Sequence, residues 1–203
     1  MKLYDENNPA PNPRRVRIFL AEKGVDIPRV RINMRQREHK APEHKARNSL
    51  GQVPTLELDD GTMISESVAI CRYLESIYPQ PPMFGTTPIE AARIDMMIRR
   101  VEFQIMTPVG MFWRHAHPLT APLLTQFKDF GESNRAHYAG GCKWLDREIA
   151  ERDFIAGDAY SMADIIALTT VDFAAFTGLE MSEDCATLRA WHARVTARPS
   201  AAA

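Results

Sequence analysis

Glu66 and Ser67 carry the most pointed chemistry in this 203-residue chain. They stand where an apolar repeat at helical spacing begins, with Val68, Ile70, Cys71 and Leu74 on its face. A helix N-terminus offers free N–H groups and a positive partial charge, which suit a carboxylate. The Glu66 carboxylate beside it suits an ammonium. Together they would hold the zwitterionic end of an α-amino acid. The same residues also fit a plain helix start capped by Ser65 or Ser67. Upstream, Val53-Pro54 opens a strand. Proline has no N–H, so the backbone beside it is left to pair with something else.

Other chemistry is weakly indicated. His39 and His44 are five apart and His115 and His117 two apart, neither of which puts two ligands on one helical face, so no metal site is expected. Cys71, Cys142 and Cys185 are odd in number, far apart and without a CxxC, which fits buried thiols in a reducing compartment.

The elements that must position Glu66 and Ser67 follow from pattern. Residues 2–4 are β-prone and lead into ENNPAPNP, a loop rich in Asn and Pro. Asn12-Pro13 reads as a helix start with Asn as N-cap and Pro first inside. Val16, Phe19 and Leu20 form that helix's apolar face, and Gly24 ends it. Residues 28–32 alternate as a strand, which the short helical crossover makes parallel to the first. Residues 34–49 are very polar and read as a loop with a short exposed helix. Residues 55–58 and 62–64 form a hairpin about Asp60-Gly61, and the helix at Ser67 follows. YPQPPMFGTTP at 78–88 is a boundary that buries little. Beyond it the pattern is helical. An apolar stripe of Ile94, Met97, Ile98, Val101, Ile105, Val109 and Phe112 marks residues 89–112. A second helix is expected over 123–149, with a break at Gly140-Gly141. Ser161 and Asp164 have the form of a capping box flanked by Tyr160 and Ile165. A last helix runs over 183–198 with Leu188 and Trp191 facing in.

Composition excludes several classes. Hydrophobic residues make up 45% of the chain, and 25 basic residues nearly balance 26 acidic ones. Net charge therefore drives neither nucleic-acid nor membrane binding. No apolar run approaches the ~20 residues of a membrane span. The N-terminal MKLYDENNPAP carries no apolar signal region, so a cytoplasmic protein is expected.

GQVPTLELDDGTMISESVAICRYLE closely resembles the glutathione-binding half of glutathione S-transferases. The similarity extends over nearly the whole chain, through the Pro-rich boundary, FIAGDAY and SMADI. ENNPAPNPRRVRIFLAEKG, REHKAPE and FWRHAHP most resemble a bacterial and fungal subgroup near the theta-like transferases. The resemblance implies a thioredoxin-like α/β domain over 1–79, a linker over 80–88 and an all-α domain over 89–203. It implies glutathione as co-substrate with no further cofactor, a hydrophobic electrophile as second substrate, a detoxifying role and a homodimer formed through the first helices of the second domain. In the family a cis Val-Pro presents backbone to the cysteinyl part of glutathione, which assigns Val53 and Pro54. Glu66 and Ser67 then hold the γ-glutamyl end, and His39, Lys40 and Gln52 stand near the glycyl carboxylate. Met111, Phe112, Trp113 and His117 are the implied electrophile pocket.

One departure bears on mechanism. A free thiol with pKa near 8.5 is only about 3% ionised at pH 7, and lowering that by two units takes about 2.7 kcal/mol of differential stabilisation. Most families supply it from a Tyr, Ser or Cys just after the first strand. Residues 5–15 here contain none of these. Tyr4 lies within the strand, where core packing is its expected role. Asn12 stands near the missing residue's position and can donate a hydrogen bond but cannot act as a base. In the resembling fungal members a Ser and a His late in the first long helix position a water. The Ser position is Gly110 here and the paired histidines are Arg114-His115, so Asn12 and His115 are the candidate catalytic residues. The alternative is a glutathione-binding or protein-interaction module of the same fold with little turnover.

Overall fold

The computed structural model describes residues 1–7 and 9–203, so Asn8 of the expected Asn/Pro loop lies outside the described residues. The chain divides into two compact units, Met1–Met83 with Pro199–Ala203, and Phe84–Arg198. The division expected from sequence assigned the last five residues to the second domain instead. In the first unit Arg14 Nη2 donates to Ala201 O at 2.7 Å, and the Ser200 hydroxyl donates to Glu22.

The first unit has the expected βαβ–α–ββα order: β1 (Lys2–Asp5), α1 (Pro11–Lys23), β2 (Arg29–Arg31), α2 (Pro42–Arg47), β3 (Thr55–Glu57), β4 (Met63–Ser65) and α3 (Ser67–Ile77). The sheet order is β2-β1-β3-β4, with β2 parallel to β1 and β3 antiparallel to it. Leu3 pairs with Leu56, and both are fully buried. The β3–β4 turn forms as its Asp-Gly predicts. Thr62 N donates to Asp60 Oδ1 at 2.8 Å, and Gly61 takes a φ of 86°, which Gly adopts without a Cβ clash. Helix α1 ends at Gly24 with φ 64°.

Two expectations for this unit are corrected. Helix α1 starts at Pro11, with Ala10 as an N-cap that offers no side-chain bond, so Asn12 is inside the first turn rather than the cap. Proline suits that first position because its missing N–H has no partner there in any case. The polar 34–49 stretch is not all solvated: His44 is buried in α2, at 1% exposure.

The second unit contains α4 (Pro88–Val101), a π-helical turn at Glu102–Met106, α5 (Thr107–His115), α6 (Lys128–Glu148), α7 (Met162–Phe176) and α8 (Ala186–Thr196). The expected stripe from Ile94 to Phe112 is buried. The π turn has a local cause. Pro108 has no N–H for the carbonyl four residues back, and its ring crowds that carbonyl. Thr107 N therefore donates to Glu102 O, joined by Thr107 Oγ1 at 3.0 Å. The second long helix begins at Lys128 rather than 123, and it runs unbroken through Gly140-Gly141. Gly141 is needed for packing: a Cβ there would lie 2.3 Å from Gln104 O in the π turn. Asp164, fully buried, accepts from Ser161 N and Oγ, Ile155 N and Trp191 Nε1, which ties the start of α7 to α8. The three cysteines are free and buried.

Candidate functional site

Strand β4 turns into α3 through Glu66, an exposed residue held at φ 67°. Non-glycine residues adopt that conformation at a cost, and such costs concentrate at binding sites. Glu66 occupies the N-cap position, yet no side chain caps α3. Neither Ser65 nor Ser67 acts as the cap, which leaves the first N–H groups of α3 without a side-chain acceptor. Ser67 is the first helical residue and is 5% exposed. Arg15, at 3% exposure, directs Nη1 to Ser67 Oγ at 3.5 Å. Arg15 was not among the candidates from sequence. Its one signal there is a cation beside Val16, on the apolar side of α1.

The Val53-Pro54 bond is cis, as is Gln80-Pro81. Val53 packs with Tyr4 and Ile32 in the core. Tyr4 is buried as expected, and its hydroxyl donates to Glu57. That bond, then burial, raises its pKa, because ionisation would set two anions together. The residues expected near a glycyl carboxylate diverge. His39 is half-buried with Nδ1 unpartnered, and burial followed by the charge of Lys40 lowers its pKa, favouring the neutral ring. Lys40 Nζ donates to the carbonyls of Leu50 and Gly51. Gln52 has an exposed position, while its carbonyl accepts from His44 Nε2 at 2.8 Å.

Around β1 the polar groups are already matched. Arg17 Nη1 donates to Asp5 Oδ1 at 2.8 Å. Burial works to raise the pKa of Glu6, but the N–H groups of Met34 and Asn7 and the Arg31 side chain outweigh it, and Glu6 titrates below its ordinary value. Asn12 sits half-buried between two prolines at the start of α1. Among the first three helical residues only Asn12 has a backbone N–H, since Pro11 and Pro13 have none. The helix N-terminus therefore offers an anion few donors, and Asn12 holds both its backbone donor and its amide.

In the second unit the candidates separate into two groups. His115 lies between the rings of Phe127 and Phe130, at 5.6 and 5.5 Å, and its Nδ1 accepts from Phe127 N at 3.5 Å. While Nδ1 accepts this long contact the neutral ring carries its proton on Nε2, so Nδ1 is the nitrogen that can take a proton once Phe127 N releases it. Trp113 and His117 lie tilted against each other with ring centroids 4.6 Å apart, and His117 meets the ring of Phe112 edge-on at 6.5 Å. Phe173 and Phe176 of α7 complete this cluster, at 5.4 and 6.0 Å from Trp113. They were missed as site residues because α7 is apolar almost all round. Burial lowers the His117 pKa, which favours the neutral ring. Arg135 lies over Phe112 at 4.3 Å, and Met111 is half-buried beside it in α5. A Cβ at Gly110 would meet nothing within 4 Å. Among the described residues no group of three or more His, Cys, Asp or Glu could hold a metal ion, and no helix is long and apolar enough to cross a membrane.

Comparison with known proteins bears on both units. The family described as glutathione S-transferase, N-terminal domain, matches residues 10–77, and that described as glutathione S-transferase, C-terminal domain, matches residues 132–199. The chain is 43% identical to glutathione S-transferase 2 of Saccharomyces cerevisiae, over 98% of this chain and 87% of that protein. The crystal structure of Gtt2 from the same yeast superposes with a TM-score of 0.93 at 42% identity, covering 98% of each chain. A glutathione S-transferase domain-containing protein from Marinobacter aquaeolei does so with a TM-score of 0.94 at 39% identity, over 98% of this chain and 99% of that one.

Proposed function

Because the chain belongs to the glutathione S-transferase family, we propose that it is an active transferase that binds glutathione, stabilises its thiolate and adds that sulfur to a small hydrophobic electrophile. The observation that carries this reading is the uncapped start of α3, with Glu66 exposed at φ 67° and Ser67 buried against Arg15. The open N–H groups, the Ser67 hydroxyl and the Arg15 charge suit the γ-glutamyl carboxylate, and Glu66 suits the ammonium. Val53 and Pro54 offer backbone to the cysteinyl part, and a neutral His39 with the Gln52 side chain offers donors to the glycyl end.

The thiolate step falls to Asn12 and His115. The Asn12 N–H and amide donate to the sulfur anion, and His115, its Nδ1 freed from the 3.5 Å contact with Phe127 N, takes the proton through a water. Neither hydroxyl nor thiol is required, since one or two hydrogen bonds to a charged group supply about 1.5–3 kcal/mol each. The cluster of Met111, Phe112, Trp113 and His117, extended by Phe173 and Phe176, is the electrophile surface. On this reading residues 1–79, with 199–203 in the same unit, are the glutathione-binding domain, 80–88 the linker and 89–198 the electrophile-binding and dimerisation domain. We place the chain in the theta-like bacterial and fungal subgroup, working in the cytoplasm as a homodimer. Ile89, Met96 and Phe103, exposed along α4 and the π turn, support a partner there. The test is turnover of an aryl halide with glutathione. Tight glutathione binding without turnover of halides, epoxides or peroxides would leave only the binding-module alternative.

A further inference from the structure

The loop that leads into Val53-Pro54 is held by its carbonyl groups. Lys40 Nζ donates to Leu50 O at 2.9 Å and to Gly51 O at 2.8 Å. The next carbonyl, Gln52 O, accepts from His44 Nε2 at 2.8 Å and from Asn48 Nδ2 at 3.1 Å, with Thr55 Oγ1 at 3.4 Å. Asn48 also accepts from Leu50 N through Oδ1 at 3.1 Å, and its carbonyl accepts from Gly51 N at 2.7 Å.

Three consecutive carbonyls are thus fixed by side chains from the segment before them. The spacing of Lys40, His44 and Asn48 is four residues, but they do not share one helix. Ala41, extended at ψ 149°, separates the turn carrying Lys40 from α2. The bend brings all three to one loop. Gly51 completes the fit: its φ is 56°, and a Cβ would lie 2.5 Å from His39 O. His44 and Asn48 are buried at 1% and 6% exposure, so their donors need protein acceptors, and the Gln52 carbonyl meets both.

We propose that Lys40, His44 and Asn48 are positioning residues for glutathione, acting through the backbone of residues 50–52 to aim the Val53 carbonyl and N–H. Lys40 thus acts on affinity through this backbone, in addition to any charge it presents to the glycyl carboxylate. The inference rests on the glutathione site proposed above. It adds that a lysine and a buried histidine set the backbone that receives the cysteinyl part of the ligand.

Calorimetry with two peptides separates the roles of Lys40: glutathione, and γ-glutamylcysteine, which lacks the glycyl residue. Lys40→Met is expected to weaken γ-glutamylcysteine as well as glutathione, each by at least about tenfold for lost charge-assisted bonds. Loss confined to glutathione means a direct ion pair and overturns the proposal. His44→Leu removes the donor to Gln52 O and is expected to raise KM for glutathione about tenfold with kcat within about twofold, whereas His44→Gln, which keeps an N–H, recovers most of it. Equal KM values for wild type and His44→Leu overturn the proposal. Amide hydrogen exchange over residues 50–53 gives a readout free of activity. It should quicken in Lys40→Met and His44→Leu with the remaining sheet unchanged, and exchange as slow as wild type there refutes the positioning role even for a variant too weak to assay. Wild type that binds neither peptide refutes the glutathione site itself, while the exchange data still decide whether these side chains hold the loop.

Discussion

The guanidinium of Arg15 meets the hydroxyl of Ser67, Nη1 to Oγ at 3.5 Å, and both residues are buried. A cation from α1 is therefore set at the N-terminal end of α3, where the backbone already carries a positive partial charge. Both terms favour an anion at that point, and the exposed Glu66 beside it supplies the opposite charge for an ammonium.

Glu66→Ala should accordingly weaken glutathione binding by about 1.5–3 kcal/mol, the range for charge-assisted hydrogen bonds. The substitution also replaces one left-handed non-glycine residue by another, so Glu66→Gln is the cleaner partner and should show most of the same loss. Isothermal calorimetry reads both. Unchanged affinity in the two variants would remove Glu66 from the site.

Asn12→Ala and His115→Ala should each lower turnover while leaving glutathione affinity nearly intact. The ultraviolet absorbance of bound thiolate, titrated with pH, should show a thiol pKa higher than wild type in at least one of them. Gly110→Ser adds the opposite test. A Cβ there meets nothing within 4 Å, so the serine fits and could return the hydroxyl that resembling fungal members use to hold a water. Turnover should rise in Gly110→Ser, and the rise should vanish in the double variant with His115→Ala. Wild-type turnover and thiol pKa in both alanine variants would leave the α1 backbone alone to activate the thiol.

Asp164 sets a pH dependence of stability. Burial pushes its carboxyl up to about 6, against the four donors that favour the anion. A folded pKa above the unfolded value means that the native state binds the proton more tightly. The stabilisation is full below pH ~4 and is lost as pH rises through about 6, amounting to roughly 3 kcal/mol. Asp164→Asn cannot titrate and presents N–H groups to donors on one side, costing roughly 2–4 kcal/mol through stranded buried donors. Chemical denaturation of both proteins between pH 4 and 7 should show their stability gap widening toward acid. A gap that stays constant would mean that Asp164 remains ionised throughout.

Phe103, at 65% exposure on the π turn, is the residue to break the proposed homodimer. Light scattering should give a dimer for wild type at micromolar concentration and a monomer for Phe103→Glu, since a charge buried in an apolar contact lacks a partner. A monomeric wild type would refute the dimer outright.

What was legible in the sequence was local. Asp60-Gly61, Gly24, the Ser161–Asp164 box and the apolar stripe of α4 and α5 act within a few residues of themselves, so their chemistry decides the backbone wherever the chain later folds. Glu66-Ser67 at a helix start belongs to the same class, because position along the helix alone creates the anion preference. Lys40, His44 and Arg15 do not. In the residue pattern each is one more polar residue, Lys40 being singled out by resemblance alone, and a side chain that long reaches solvent, a ligand or a carbonyl with equal ease. Only the folded chain set Leu50, Gly51 and Gln52 against Lys40 and His44, and Ser67 against Arg15, through contacts spanning as many as 52 positions. The Asn12 cap failed for a local reason: Pro11 and Pro13 both fit a first turn, and the helix begins at the earlier of the two. Burial, which turns a polar side chain from a solvated group into one that must find a partner, is a property of the tertiary structure alone.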